Sequence, residues 1–124
     1  MSMPTELKYT KSHEWVSVDG DIATVGITDH AQEELGDVAM VLFPEVGRVL
    51  QVEEKFGEIE SIKAVSDLYA PVSGTVIAVN EALTNAPELV NDDAYGEGWM
   101  VRISMTNLSE LDSLLTADQY AEIE

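Results

Sequence analysis

Pro44-Glu45-Val46-Gly47-Arg48-Val49-Leu50-Gln51-Val52-Glu53-Glu54 begins again, 27 residues on, as Pro71-Val72-Ser73-Gly74-Thr75-Val76-Ile77-Ala78-Val79-Asn80-Glu81. Five of the eleven aligned positions are identical (Pro, Gly, Val, Val, Glu), where composition alone gives about one. Each copy, 44–54 and 71–81, reads as a turn followed by a strand that alternates inward valines with polar residues. Two such copies predict two similar sheets related by an approximate twofold axis. The midpoint between the end of the first copy and the start of the second falls between Ile62 and Lys63. The chain has only four lysines, and one of them lies in the turn Glu58-Ile59-Glu60-Ser61-Ile62-Lys63-Ala64-Val65-Ser66-Asp67 that joins two β runs. A lysine at a hairpin tip projects its amine away from the core, where an enzyme can reach it.

On either side of this centre the pattern stays β. Leu7 to Val18 has strand-like stretches. The Val18-Asp19-Gly20-Asp21 segment carries an Asp-Gly hairpin turn, and Ile22 to Ile27 returns as the second strand. Thr28 is placed to cap a short helix through Asp29–Leu35, and Gly36 to stop it. Val38 to Phe43 is a buried-strand run ended by Pro44, and Trp99 to Met105 alternates as a last strand. At the end, Leu108, Leu111, Leu114 and Leu115 share one helical face, with Asn107 and Glu110 placed as a capping box and Thr116 and Gln119 able to cap one more turn around Tyr120. The class is mostly β, a single domain over 1–124, with short peripheral helices and a C-terminal helical segment over about 107–122.

The 124 residues include 24 acidic and 6 basic side chains, a net charge of −18. That balance argues against nucleic acid or an anionic membrane as partner. Forty-five per cent hydrophobic residues set the chain apart from an acidic disordered tail. With no cysteine, a disulfide framework, a thiolate metal site and cysteine catalysis are excluded. No apolar run approaches the roughly 18 residues that cross a bilayer, and the opening residues carry no apolar signal core, so the expected location is the cytoplasm. The acidity itself has three readings: solubility, steering toward partners with basic faces, and adaptation to high salt.

The segment Glu60-Ser61-Ile62-Lys63-Ala64-Val65-Ser66-Asp67, with Tyr69-Ala70-Pro71-Val72-Ser73-Gly74 after it, resembles the lipoylation segment of the glycine cleavage system H-proteins. Lys8-Tyr9-Thr10-Lys11-Ser12-His13-Glu14-Trp15 is similar to that family's opening, and Gly26-Ile27-Thr28-Asp29-His30-Ala31-Gln32 with Leu35-Gly36-Asp37 to its short helix. Pro44-Glu45-Val46-Gly47 and Gly98-Trp99-Met100-Val101 also match in order and spacing. Phe43 and Ile62 depart from the commoner leucine and valine. The resemblance implies a barrel-sandwich hybrid of two antiparallel sheets, like a lipoyl domain, with lipoic acid joined by an amide to Lys63. It implies a monomeric, non-catalytic carrier. Such a carrier takes an aminomethyl group from a pyridoxal-phosphate glycine decarboxylase to a tetrahydrofolate-dependent aminomethyltransferase, and dihydrolipoamide dehydrogenase then reoxidises it. A lipoate ligase or lipoyl transferase attaches the arm. It further implies a cleft where Ser12, Glu14 and Asp67 contact the loaded arm, the two acids as charge partners of the ammonium and Ser12 as a neutral hydrogen-bond acceptor.

Rival readings are a paralogue that only stores or relays lipoyl groups and a biotinyl carrier domain, which resembles Met-Lys-Met at the tip where Ile62 and Ala64 stand here. Asn91-Asp92-Asp93 and Asp19-Gly20-Asp21 offer carboxylates to calcium, but no twelve-residue loop with a closing glutamate is present, so they read as turns. His13 and His30 lack the spacing of a zinc helix, so no metal is expected. His13 beside Glu14 is a poor base and orienter, because strand neighbours point to opposite faces.

Overall fold

The computed structural model describes residues 4–123. In chain order the elements are β1 (Lys8–Tyr9), β2 (Glu14–Asp19), β3 (Ile22–Ile27), α1 (Asp29–Leu35), β4 (Val38–Leu42), β5 (Val49–Leu50), β6 (Lys55–Ser61), β7 (Val65–Tyr69), β8 (Gly74–Val79), α2 (Ala82–Asn85), α3 (Leu89–Asp92), β9 (Val101–Met105), a 3-10 turn (Leu108–Ser113) and α4 (Ala117–Ala121). The strands form two antiparallel sheets, six-stranded in the order β1-β2-β3-β9-β8-β5 and three-stranded in the order β4-β6-β7. Their facing sides bury one core, with Val25, Leu50, Ile59, Val72, Val76, Leu83, Met100 and Ile103 fully enclosed.

The two sequence copies do not build two sheets. They pair with each other inside the six-stranded sheet, Val49 opposite Thr75 and Leu50 opposite Gly74. This pairing also overturns the expected inward valines of the first copy. Directly opposed residues share a face, and faces alternate along a strand. In this register the opposed residues have the same parity, whereas residues 27 apart have opposite parity. Repeat-related residues on one sheet must therefore point to opposite sides. Val76 is fully buried while its repeat mate Val49 is 62% exposed, and Leu50 is fully buried while Ile77 is 41% exposed.

The same two chain legs continue into the other sheet. Amide–carbonyl bonds Glu53–Ala70 (2.7 Å) and Ala70–Glu54 (2.8 Å) carry the pairing from β5/β8 to β6/β7. There Glu58 opposes Asp67 and Glu60 opposes Val65. One ribbon thus crosses from sheet to sheet and ends at the Ile62–Lys63 tip. Gly57 makes room in it: a Cβ there would lie 2.3 Å from the Leu42 carbonyl oxygen of the neighbouring strand.

The local signals for α1 act as read: Thr28 accepts from the Ala31 amide, and Gly36 ends the helix with φ 79°. The C-terminal segment differs from the single helical face expected. Leu115 exchanges backbone hydrogen bonds with Tyr9 (2.9 and 2.8 Å), and this pairing breaks the helix between the 3-10 turn and α4. Leu108 is left 52% exposed. No Asn107–Glu110 capping box forms, because the Glu110 carboxylate accepts from the Ser73 amide and hydroxyl instead, both at 2.7 Å. The second box does form, Thr116 with Gln119. It seats α4 so that Tyr120 stacks on Tyr9 at 4.9 Å between ring centres. Around that pair a smaller cluster gathers Leu7, Trp15 and Ala117.

Asn91, read in the sequence as part of an acidic turn, is a tie between layers. Its carbonyl oxygen accepts from the Val38 amide at 2.8 Å, and its amide donates to Gln32 and to the Gly36 carbonyl, both at 2.9 Å. Replacing it by alanine strands the Val38 N–H at the start of β4, a loss of about 1–3 kcal/mol. Urea unfolding of Asn91→Ala should show that decrease with an unchanged m-value.

Candidate functional site

Lys63 stands at the second position of the turn between β6 and β7. The Ser61 amide donates to the Ala64 carbonyl at 2.8 Å, and the Ser61 hydroxyl oxygen accepts from the Lys63 and Ala64 amides at 3.3 and 3.1 Å. A serine at this place supplies the local hydrogen bonding that lets a non-glycine turn close. The tip is also tied sideways, since the Ile62 amide donates to the Asp37 carbonyl at 3.1 Å. The lysine is exposed, and its stem leans over Gly36 at the end of α1. A Cβ added at Gly36 would lie 3.4 Å from Lys63 Cε. With φ 79° and ψ −157°, Gly36 occupies a region open essentially to glycine alone, so this floor under the lysine stays flat.

Beside the tip lies a cleft of about 340 Å³. Ala64, Val65, Ser66 and Asp67, which follow the lysine, form one wall, and Ser12, His13 and Glu14 form the opposite one. The fold thus brings Ser12, Glu14 and Asp67 to one cavity next to Lys63. A larger hollow of about 690 Å³ opens on the other side of Glu14, lined by Tyr9, Glu53, Pro71 and Leu114 among others. Its walls include none of the residues 60–67 of the tip, whereas the smaller cleft is lined by Ala64, Val65, Ser66 and Asp67.

Glu14 is the unusual member. It is 1% exposed, the largest of the few buried polar side chains among the described residues. The turn Thr10–Glu14 folds back on itself through backbone bonds between residues 10, 13 and 14, with His13 in the left-handed region at φ 71°. One carboxylate oxygen accepts from the Thr10 hydroxyl at 2.6 Å and the Ser12 hydroxyl at 2.5 Å, and the other from the Tyr69 amide at 3.3 Å. Ser12 gives its hydroxyl proton to Glu14, which leaves its oxygen lone pairs facing outward as acceptors. Burial raises the Glu14 pKa above its ordinary value, and the Ser12, Thr10 and Tyr69 hydrogen bonds only partly oppose it.

Asp67 is exposed and shared. The Lys55 ammonium lies 3.2 Å from Asp67 and 2.6 Å from Glu58, and first Glu58, then Asp67, hold it above its usual pKa. Arg48 and Glu54 form a further surface pair at 2.9 Å. Three of the five acids around the tip (Glu53, Glu54, Glu58, Glu60, Asp67) are thus matched by a cation on the same surface.

The histidines, which sequence spacing separated, meet in space. The rings of His13 and His30 lie 4.9 Å apart, and His30 Nε2 is 3.0 Å from a Glu34 carboxylate oxygen. His13 Nδ1 lies 2.6 Å from the Tyr120 hydroxyl. The His30–Glu34 half was readable as an i, i+4 pair on the expected helix. The approach of His13 carried no sequence signal.

These features define a class: an antiparallel two-sheet sandwich that displays one lysine on a braced hairpin tip, with an acid-lined cleft alongside. The family model described as glycine cleavage H-protein matches residues 7–124, and the chain belongs to that family. A glycine cleavage system H protein of Rubrobacter xylanophilus is 59% identical over 119 residues, covering 96% of this chain and 92% of the relative. The one from Geobacillus kaustophilus is 55% identical over 120 residues, covering 97% and 94%. The crystal structure of a glycine cleavage system H protein from Mycobacterium marinum superposes with a TM-score of 0.88 at 41% identity, covering 97% of each chain.

A raised pKa means that the folded chain holds the Glu14 proton more tightly than the unfolded chain does. Stability from this group is complete below the ordinary value of 4.5 and is lost as pH rises through the higher folded value. Glu14→Gln removes that dependence. Urea unfolding at a series of pH values should show the variant gaining on wild type from pH ~4.5 toward neutrality. A constant difference across that range would contradict the burial argument.

Proposed function

We propose that Lys63 carries a lipoyl group in amide linkage, and that through it the chain serves as the aminomethyl carrier of the glycine cleavage system. The observation that carries this reading is the juxtaposition of an exposed, braced lysine with the cleft that holds Ser12, Glu14 and Asp67. The lysine fits the group. Its amine is exposed for an attaching ligase or transferase, and the turn around it is closed by backbone and Ser61 bonds that do not involve the side chain. When bound, the lipoyl group supplies a disulfide that is reduced as it takes up the one-carbon unit. The partners are then the pyridoxal-phosphate decarboxylase, the tetrahydrofolate-dependent aminomethyltransferase and dihydrolipoamide dehydrogenase. The chain itself acts as their substrate and performs no catalysis.

What this chain's residues contribute is positioning, charge and shelter. A reacting group that must enter several active sites needs a long arm on a body that does not give way; the Ser61–Ala64 and Ile62–Asp37 bonds fix the arm's root. Amide formation removes the lysine charge, which lowers the cost of entering a partner's apolar channel. Glu14, desolvated among hydroxyl and amide donors, has no cation in the ion pairs of the described residues. A cargo ammonium beside it stabilises its ionised form and is in turn held protonated. Asp67 faces the same space while exchanging Lys55 for the incoming cation, and Ser12 orients the Glu14 oxygen.

Intact mass with peptide mapping, after expression with lipoate available, should find one lipoyl group, on Lys63, and none in Lys63→Arg. A Lys63→Arg chain that still gains lipoyl overturns the assignment. Because the side chain is exposed, that variant should unfold within about 0.5 kcal/mol of wild type. For the cleft, ammonia release from the loaded carrier without the transferase should be faster in Glu14→Gln and Asp67→Asn than in wild type. Equal rates in all three would leave the arm simply exposed.

A further inference from the structure

His30 and Glu34 sit one helical turn apart on α1 and already meet at 3.0 Å, nitrogen to oxygen. His13 approaches from the Thr10–Glu14 turn, and each of the three side chains offers a ligand atom within 4.8 Å of the other two. Ligands of a tetrahedral zinc-class ion lie about 3.3 Å from one another. The His30–Glu34 edge thus has about the needed length, and the other two edges, at most 4.8 Å, shorten by rotation of the His13 ring about the nitrogen that meets Tyr120. The His13 ring is oriented by a fixed partner: Tyr120 Oη lies 2.6 Å from Nδ1 and 2.7 Å from Thr28 Oγ1, and both Tyr120 and Thr28 are fully buried. Metal-bound imidazoles are held in the same manner, one nitrogen on the ion and the other on a hydrogen-bonding group that sets the ring plane.

We propose that His13, His30 and Glu34 form a binding site for a divalent first-row transition ion of the zinc, cobalt and nickel class. Two imidazoles and one carboxylate suit those ions, whereas calcium and magnesium favour all-oxygen shells. Three protein ligands leave a coordination position open. His13 and Glu34 both line the cleft beside the lysine tip, so that position faces the cleft. The net charge of −18 raises the local concentration of any cation but places it nowhere in particular. The two imidazoles are what single out this place. The site depends only on these three side chains and holds whether or not Lys63 is modified.

The test uses the full chain with Lys63 unmodified and cobalt(II) as probe, followed by calorimetry and by visible absorption, and then displaced with zinc(II). One equivalent should bind, with an absorption band that zinc abolishes. His30→Ala and Glu34→Gln should each weaken binding by more than about tenfold, since loss of a mere second-shell partner already costs that much. Both substitutions are on the partly exposed face of α1, and an unchanged circular dichroism spectrum and melting temperature in each confirms that the fold is kept. Weak binding of several equivalents, equal in wild type and His30→Ala, would reduce the effect to diffuse attraction by surface carboxylates and overturn the proposal. Absence of any bound equivalent in wild type overturns it equally.

Discussion

Everything in this fold hangs on the antiparallel pairing of two chain legs that meet at Ile62–Lys63. The pairing begins in the six-stranded sheet, passes through the Glu53–Ala70 and Ala70–Glu54 bonds and ends in the three-stranded one. It therefore does two things with one set of hydrogen bonds. It joins the sheets covalently and in register, so their inner faces must close on a common core. It also fixes where the chain reverses, which places the lysine at the far end of the ribbon. The sideways bond to Asp37 and the glycine floor beneath the lysine stem then turn a hairpin end into a platform.

Glu14 shows the opposite kind of constraint, a local cost kept for a purpose. Removing a carboxylate from water is unfavourable unless donors or a cation replace the hydration. Here Thr10, Ser12 and the Tyr69 amide supply donors, and no cation is in contact among the described ion pairs. The turn that delivers those donors needs His13 in the left-handed region, itself disfavoured for a side-chain-bearing residue. The fold thus keeps a buried carboxyl satisfied by donors alone, in the wall of the cleft beside the lysine tip.

Much of this was legible in the residues. The Thr28 and Gly36 helix signals, the turn at Asp19-Gly20, the mostly β class and the position of Lys63 at a reversal all follow from local chemistry, and local chemistry is what a single sequence records; the two-sheet sandwich was implied by the family resemblance. The errors have a common origin in long-range pairing. The repeat was visible, but its two copies were assigned to separate sheets because nothing local says that they pair with each other. The resulting parity mismatch turned Val49 outward. The C-terminal leucines carry a helical spacing, yet Leu115 is claimed by Tyr9 from the other end of the chain. Glu110 had the spacing of a capping residue and went instead to Ser73. The burial of Glu14 and the meeting of His13 with His30 were invisible for the same reason, since each is created by elements far apart in sequence.

The hydroxyl of Tyr120 touches both His13 and Thr28 while its ring covers Tyr9. One wall of the cleft is thus fastened by a residue synthesised after every strand of the sandwich. On a ribosome, the sandwich and the lysine hairpin can form as soon as β9 has emerged, but the Thr10–Glu14 turn gains its final brace only after α4 follows. Display of the lysine and completion of the cleft are therefore separate events in the life of the chain, in that order. The lysine is presented before the pocket beside it is finished. Stalled chains ending before Tyr120 would reveal this as an accessible lysine amine without the near-ultraviolet signature of the stacked tyrosines.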